Sequence, residues 1–169
     1  MRRAIVLLGL ALAAPTASAA DKWWVGGALG LSFGGNVDFV SFEPGAGYWI
    51  NPKLTVGGRV IVRYRKDKRL DGSQGQTDYG ASVLTRYFVA KSVFVQGEYE
   101  YLNYEFPTVG GSTERDGYGS LLGGAGYSLR MTRNSSFHVL GLYNFTWDED
   151  EISPYAEPWL LRVGVGFRF

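Results

Sequence analysis

The most regular feature of the chain is alternation, with apolar and polar residues changing places at every step over one stretch after another. Residues 159–169 show it best. Trp159, Leu161, Val163, Val165, Phe167 and Phe169 fall on one face, and Leu160, Arg162, Gly164, Gly166 and Arg168 on the other. A period of two marks an extended strand whose successive side chains point to opposite sides. Residues 54–65 repeat it, with Leu54, Val56, Gly58, Val60, Val62 and Tyr64 opposing Thr55, Gly57, Arg59, Ile61, Arg63 and Arg65. In residues 93–104, Val93, Val95, Gly97, Tyr99 and Tyr101 oppose Phe94, Gln96, Glu98, Glu100 and Leu102. In residues 136–147, Phe137, Val139, Gly141, Tyr143, Phe145 and Trp147 oppose His138, Leu140, Leu142, Asn144 and Thr146. Four further stretches, near 23–33, 41–50, 77–89 and 117–129, alternate less cleanly because Gly interrupts them. Eight strands result, close to the roughly 9–11 residues of a tilted strand that crosses a bilayer.

The connections carry their own pattern. Those at Asn51-Pro52-Lys53, Ala90-Lys91-Ser92 and Thr132-Arg133-Asn134 are short, while those near 34–40, 66–76, 105–116 and 148–158 are longer and mostly polar. Short turns on one side and longer loops on the other are the habit of outer-membrane barrels. An even strand number brings both termini to one side, expected to be the periplasm.

The polarity of the two faces decides between a soluble and a membrane barrel. A soluble fold turns its apolar face inward. Here the opposing face carries Arg59, Arg63, Arg65, Arg86, Glu98, Glu100, Arg162 and Arg168, more charge than a small dry core tolerates. The apolar face carries Trp23, Tyr48, Tyr64, Tyr87, Trp147 and Trp159 toward strand ends, where membrane aromatic girdles lie. In lipid, only helices and closed barrels satisfy every backbone N–H and C=O group. The expected fold is therefore all-β, an eight-stranded antiparallel up-and-down transmembrane barrel over residues 21–169.

The first twenty residues belong to another category. Met1-Arg2-Arg3 is basic, Ala4 to Ala14 is apolar, and Ala17-Ser18-Ala19 offers the small residues of a cleavage site. This is the anatomy of a secretory signal, too short to span a bilayer as a helix. Cleavage is expected after Ala19 or Ala20, so that the mature chain begins near Asp21. With no Cys, neither a lipoprotein anchor, a disulfide nor a thiolate metal site is available. A net charge of +1 gives no argument for nucleic acid as a partner. The 24 Gly residues suit a narrow barrel, where small residues make room for large interior neighbours.

The final strand, Trp159-Leu160-Leu161-Arg162-Val163-Gly164-Val165-Gly166-Phe167-Arg168-Phe169, resembles the terminal strand of the outer-membrane barrels that include opacity-like surface proteins and OmpA/OmpX-type barrels. The resemblance implies location and assembly. It makes Val165, Phe167 and Phe169 the signal read by the outer-membrane assembly machinery, and implies outer-membrane lipid and lipopolysaccharide as surroundings. No periplasmic peptidoglycan-binding domain is expected to follow the barrel.

Function is sought in the lumen, the loops and any catalytic constellation. An eight-stranded barrel is just wide enough for side chains to fill. Arg59, Arg63, Arg86, Glu98, Glu100 and Arg162 are expected to form a lumen charge network. It reads either as a plug of paired charges or as the lining of a narrow ion path. Inward Trp24, Trp49, Phe88, Phe94 and Tyr118 would obstruct such a path further. Among the loops, Lys66-Asp67-Lys68-Arg69 is basic and could meet lipopolysaccharide phosphates or a host surface polymer. Asp148-Glu149-Asp150-Glu151 is acidic but matches no calcium loop, so no metal is expected. His138, the only histidine, lacks the His-x-Ser arrangement of the outer-membrane lipid A deacylases because Leu140 stands at the third place. A structural His hydrogen-bonded in the lumen, not a general base, is expected, and neither catalytic residues nor a cofactor. The sequence favours a closed barrel acting structurally or through its outer loops. A narrow channel is the alternative and a lipid-modifying enzyme a weaker one.

Overall fold

Alternating β-branched and aromatic residues fit the pleated, half-buried surface of a strand, and that is the structure they adopt. The computed structural model describes residues 22–32, 37–67, 75–107, 113–148, 153–155 and 157–169. The expected signal segment lies outside them, as do Lys68, Arg69, Glu149, Asp150 and Glu151 of the charged loops. Eight strands follow in order: β1 (Trp23–Ser32), β2 (Val37–Asn51), β3 (Leu54–Asp67), β4 (Gln76–Phe88), β5 (Val93–Pro107), β6 (Thr113–Arg130), β7 (Ser135–Asn144) and β8 (Trp159–Arg168). Each pairs antiparallel with the next, and β1 pairs with β8, so the sheet closes on itself. Closure leaves no unpaired edge. Trp23 N donates to Phe169 O at 3.1 Å and Phe169 N to Trp23 O at 3.0 Å, which extends the β1–β8 seam to the last residue.

The faces divide as the alternation requires. Val60, Val83, Tyr99, Leu121 and Trp159 stand on the outside, with Val83 64% exposed, while Ile61, Phe94, Leu102, Leu140 and Leu142 are wholly buried inside. Inversion of polarity between the two faces is not complete. The interior combines an apolar cluster with a charged one, and the outside is almost uniformly apolar.

Four boundaries differ from expectation. β2 begins at Val37, before the stretch expected from 41, and β5 and β6 pair as far as Pro107 and Thr113. Hydrogen bonding carries these ladders past the apolar band into polar sequence such as Glu105, Arg115 and Asp116, where alternation gives no signal. β7 is shorter, ending at Asn144. There the Asn144 side chain takes over, its Oδ1 accepting from Thr146 N at 3.1 Å and from Thr146 Oγ1 at 2.8 Å. The chain turns, and Trp147 packs against the interior cluster instead of standing in the outer girdle.

The short connections sit at the end of the barrel that holds both termini. In the first, Asn51 Oδ1 accepts from Lys53 N at 2.8 Å and Leu54 N at 2.9 Å. In the third, Thr132 Oγ1 accepts from Ser135 N at 3.1 Å, and Asn134 Nδ2 donates to Arg168 O at 3.0 Å. Gly matters most under the inward Trp24. A Cβ on Gly47 would overlap the indole and the Val56 carbonyl. Replacing Gly47 by Val is expected to prevent refolding or to lower the denaturant midpoint, because overpacking a filled interior costs about 1–3 kcal/mol or more. The check is the heat-modifiable band of the folded barrel on unboiled gels, which should weaken or vanish.

Candidate functional site

Inward positions of β2, β3, β5 and β8 bring six charged side chains to the centre of the barrel. Arg162 on β8 is the hub. Its Nε lies 2.9 Å from Glu43 Oε2, its Nη1 2.8 Å from Glu98 Oε2 and its Nη2 2.6 Å from Glu100 Oε2. Arg59 on β3 reaches Glu43 at 3.2 Å and Glu98 at 3.3 Å. Arg63, two inward steps further along β3, reaches Glu100 at 3.1 Å. Three carboxylates are thus held by three guanidiniums, and every one of these side chains is almost fully buried. Such a group persists only when charges are paired and hydrogen-bonded, because an uncompensated ion in this environment is expensive.

Five of the six residues expected in the lumen network, Arg59, Arg63, Glu98, Glu100 and Arg162, are in direct ionic contact. Arg86 is in the lumen but bonds a neutral partner, Gln96 Oε1, at 3.0 Å and 2.8 Å. Gln96 Nε2 in turn donates to Glu98 Oε2 at 2.8 Å, tying Arg86 to the network through an amide. Glu43 was not anticipated. It faces inward on β2, flanked by Ser41, whose hydroxyl donates to it at 2.6 Å. A separate pair, Arg65 and Asp78 at 2.9 Å, lies toward the loop end.

The loop end is closed from above. Between β7 and β8 the chain lays Tyr155 into the mouth, 3% exposed. Its hydroxyl donates to Glu100 and accepts from Arg63 Nη2 at 3.1 Å. Burial holds this phenol well above its ordinary titration range, so it remains a donor. The Arg63 guanidinium stands 4.2 Å from the Phe39 ring and 4.6 Å from the Tyr155 ring. Tyr118 lies 6.4 Å from Tyr155, and Trp147 Nε1 donates to the Tyr155 carbonyl at 3.3 Å. A loop residue is thus part of the interior.

The end that holds the termini is different. Trp49, Phe88 and Phe94 run along its inner wall with successive ring centroids 5.4 Å apart. Trp49 and Phe88 border a cavity of about 860 Å³ that reaches inward to Glu43 and Arg59, with Phe94 buried behind them. Trp24 lies across it, its Nε1 donating to Thr55 Oγ1 at 2.7 Å. His138 is also on the cavity wall, with its ring 6.4 Å from Phe94. Among the described residues no hydrogen bond joins it to a serine or an acid, which corrects the expectation of a hydrogen-bonded histidine. Its ring packs edge to face on Phe94 and faces the cavity.

The outer aromatics take several positions. Trp23 and Tyr48 meet edge to face at 5.1 Å at the terminal end, Tyr64 and Tyr87 are exposed on β3 and β4, and Trp159 packs at 4.8 Å on Tyr143. Val165 and Phe167 face outward on β8, and Phe169 closes the seam with Trp23. No group of side chains able to hold a metal ion occurs among the described residues.

No protein-family model matches the sequence. No curated protein matches it either. The fold is similar to that of the N-terminal β-barrel domain of Pseudomonas aeruginosa OprF, with a TM-score of 0.56 at 14% identity, over 88% of this chain and 98% of that one. It is also similar to the Yersinia pestis outer membrane protein Ail, with a TM-score of 0.55 at 16% identity, over 89% of this chain and 100% of that one. Both are small outer-membrane β-barrels, so the closed eight-stranded barrel read from the sequence is the fold the chain has.

Removing the hub tests the network. Arg162→Met leaves three buried carboxylates with two arginines and is expected to cost about 3–5 kcal/mol in urea unfolding. Tyr155→Phe removes one donor and one acceptor and should cost about 1–3 kcal/mol. A hub that contributed nothing would leave both midpoints at the wild-type value.

Proposed function

We propose that the chain is an integral protein of a bacterial outer membrane whose sealed lumen makes it a rigid scaffold, with its role carried by the loops at the end opposite the termini. The observation that supports this reading is the interior. The buried Arg59–Arg63–Arg162 and Glu43–Glu98–Glu100 group fills the waist of the barrel, and Tyr155 caps it. An apolar outer surface such as Val60, Val83, Tyr99 and Leu121 would be unfavourable in water and is at home against lipid. The fold shared with OprF and Ail supports the same surroundings.

In this reading the termini and the three short turns face the periplasm and the longer connections face outward. The outward connections include the one that follows β3, where the basic sequence Lys66-Asp67-Lys68-Arg69 would meet lipopolysaccharide phosphates or an external polymer. Val165, Phe167 and Phe169 serve as the strand read by the assembly machinery. The protein is no enzyme in this reading: His138 lies at the terminal end, away from the outer leaflet, and among the described residues makes no hydrogen bond to a serine or an acid.

Two measurements test it. Trypsin added to intact cells should cut at the loop bearing Lys66, Lys68 and Arg69 and spare the turn bearing Arg133. The reverse pattern would invert the orientation. Val83→Arg, at the middle of β4, should lower refolding stability in phospholipid vesicles by about 2–4 kcal/mol if that face meets lipid. An unchanged midpoint would place the face in water.

A further inference from the structure

The cavity at the terminal end has a charge balance unlike the rest of the lumen. Lys53, Lys91, Arg86, Arg130, Arg133 and Arg168 all border it. The one carboxylate among its bordering residues, Glu43, is already engaged by Arg59 and Arg162. Arg130, Arg133 and Arg168 converge with Asn134 on a smaller depression of about 280 Å³.

Arg86 is the informative member. Arg59, Arg63, Arg65 and Arg162 each hold a carboxylate within 3.3 Å, whereas Arg86, partly buried, holds only the Gln96 amide and the face of Phe94 at 4.2 Å. Among the described residues no carboxylate lies within ion-pair distance of it. A guanidinium presents five N–H donors in a fork suited to two oxygens of one anion, and the amide oxygen occupies only part of that fork. Beside it Trp49 and Phe88 offer apolar surface to the cavity. The Trp49 indole N–H has no acceptor among the described residues. A cavity of about 860 Å³ lies within the roughly 300–1,000 Å³ range of small-molecule sites.

From these observations we propose that the terminal cavity binds a small organic anion, an oxyanion head on an apolar body, with the head at Arg86 and the body on the Trp49–Phe88 wall. The rim arginines and lysines draw the anion in, and the sealed waist stops it from passing further. Paired Glu43 cannot compete for Arg86, because Arg59 and Arg162 hold it. The head is a phosphoryl or carboxyl group, borne either by a soluble molecule or by a lipid. Entry from the periplasm rests on the orientation proposed above. Binding in a nanodisc, open on both sides, does not.

The test uses the refolded chain in phosphatidylcholine nanodiscs, titrated calorimetrically with 1-naphthyl phosphate and with neutral 1-naphthol, empty discs being subtracted. The phosphate should bind at least tenfold tighter than naphthol, and inorganic phosphate should compete. Arg86→Gln should weaken the phosphate at least tenfold while Arg86→Lys retains part of the affinity. Because Arg86→Gln alters the interior, the surface double variant Arg130→Ser/Arg133→Ser is measured beside it and should weaken binding severalfold with folding intact. Phosphatidylglycerol added to the disc separates the sources. Loss of naphthyl phosphate binding would assign the site to a lipid headgroup, and unchanged binding to a soluble anion. Equal affinity for naphthol and its phosphate would overturn the proposal, as would Arg86→Gln and rim variants that bind like the wild type.

Discussion

The structure depends on one arrangement, the convergence of Glu43, Glu98 and Glu100 on Arg162 in the middle of the barrel. These residues come from β2, β5 and β8, so no two of the strands are neighbours in the sheet. Their ion pairs therefore cross the lumen instead of running along its wall. Backbone ladders of eight strands close the barrel as a cylinder and set its width, and this group fills it. A buried ion group is weak evidence for stability by itself, since a hydrophobic replacement of equal volume is often as stable. What it contributes is geometry: charges that must meet oppose any slip in strand register, because a shift by one residue would turn every inward charge out to the apolar side.

From that constraint the two ends of the lumen acquire different characters. Toward the loops, Arg63 extends the network to Tyr155, and aromatic rings close around its guanidinium. Toward the termini, the network stops at Arg59 and Glu43, and the space beyond stays open between Trp24, Trp49 and Phe88. In the proposed reading the barrel is a blind vestibule more than a pore. Its positive rim and spare arginine follow from the same count of charges: the waist uses all three carboxylates, so Arg86 is left with an amide.

Much of this was legible in the sequence, for reasons that can be located. β3, β5 and β8 alternate strictly because one face meets the interior and the other does not, so Arg59, Arg63, Glu98, Glu100 and Arg162 could be assigned inward from spacing alone. Glu43 was hidden because Pro44 and Gly45 follow it and break the alternation of β2, though its pairing opposite Ala28 makes it an inward residue. Asp78 was missed near the start of β4, where polar sequence obscures the period. Tyr155 could not be read at all, since a loop residue carries no periodic signal and its burial depends on contacts 55 and 92 residues away. Trp147 shows the opposite error: period two was extended past Asn144, where side-chain capping had already turned the chain.

The central claim is that this waist is sealed, and single-channel recording from the refolded protein in a planar bilayer tests it most directly. With insertion confirmed independently, the wild type should give no resolvable current steps. Reproducible steps whose ion selectivity changes in Glu98→Ala would contradict the claim and make the charged row the lining of a conducting path.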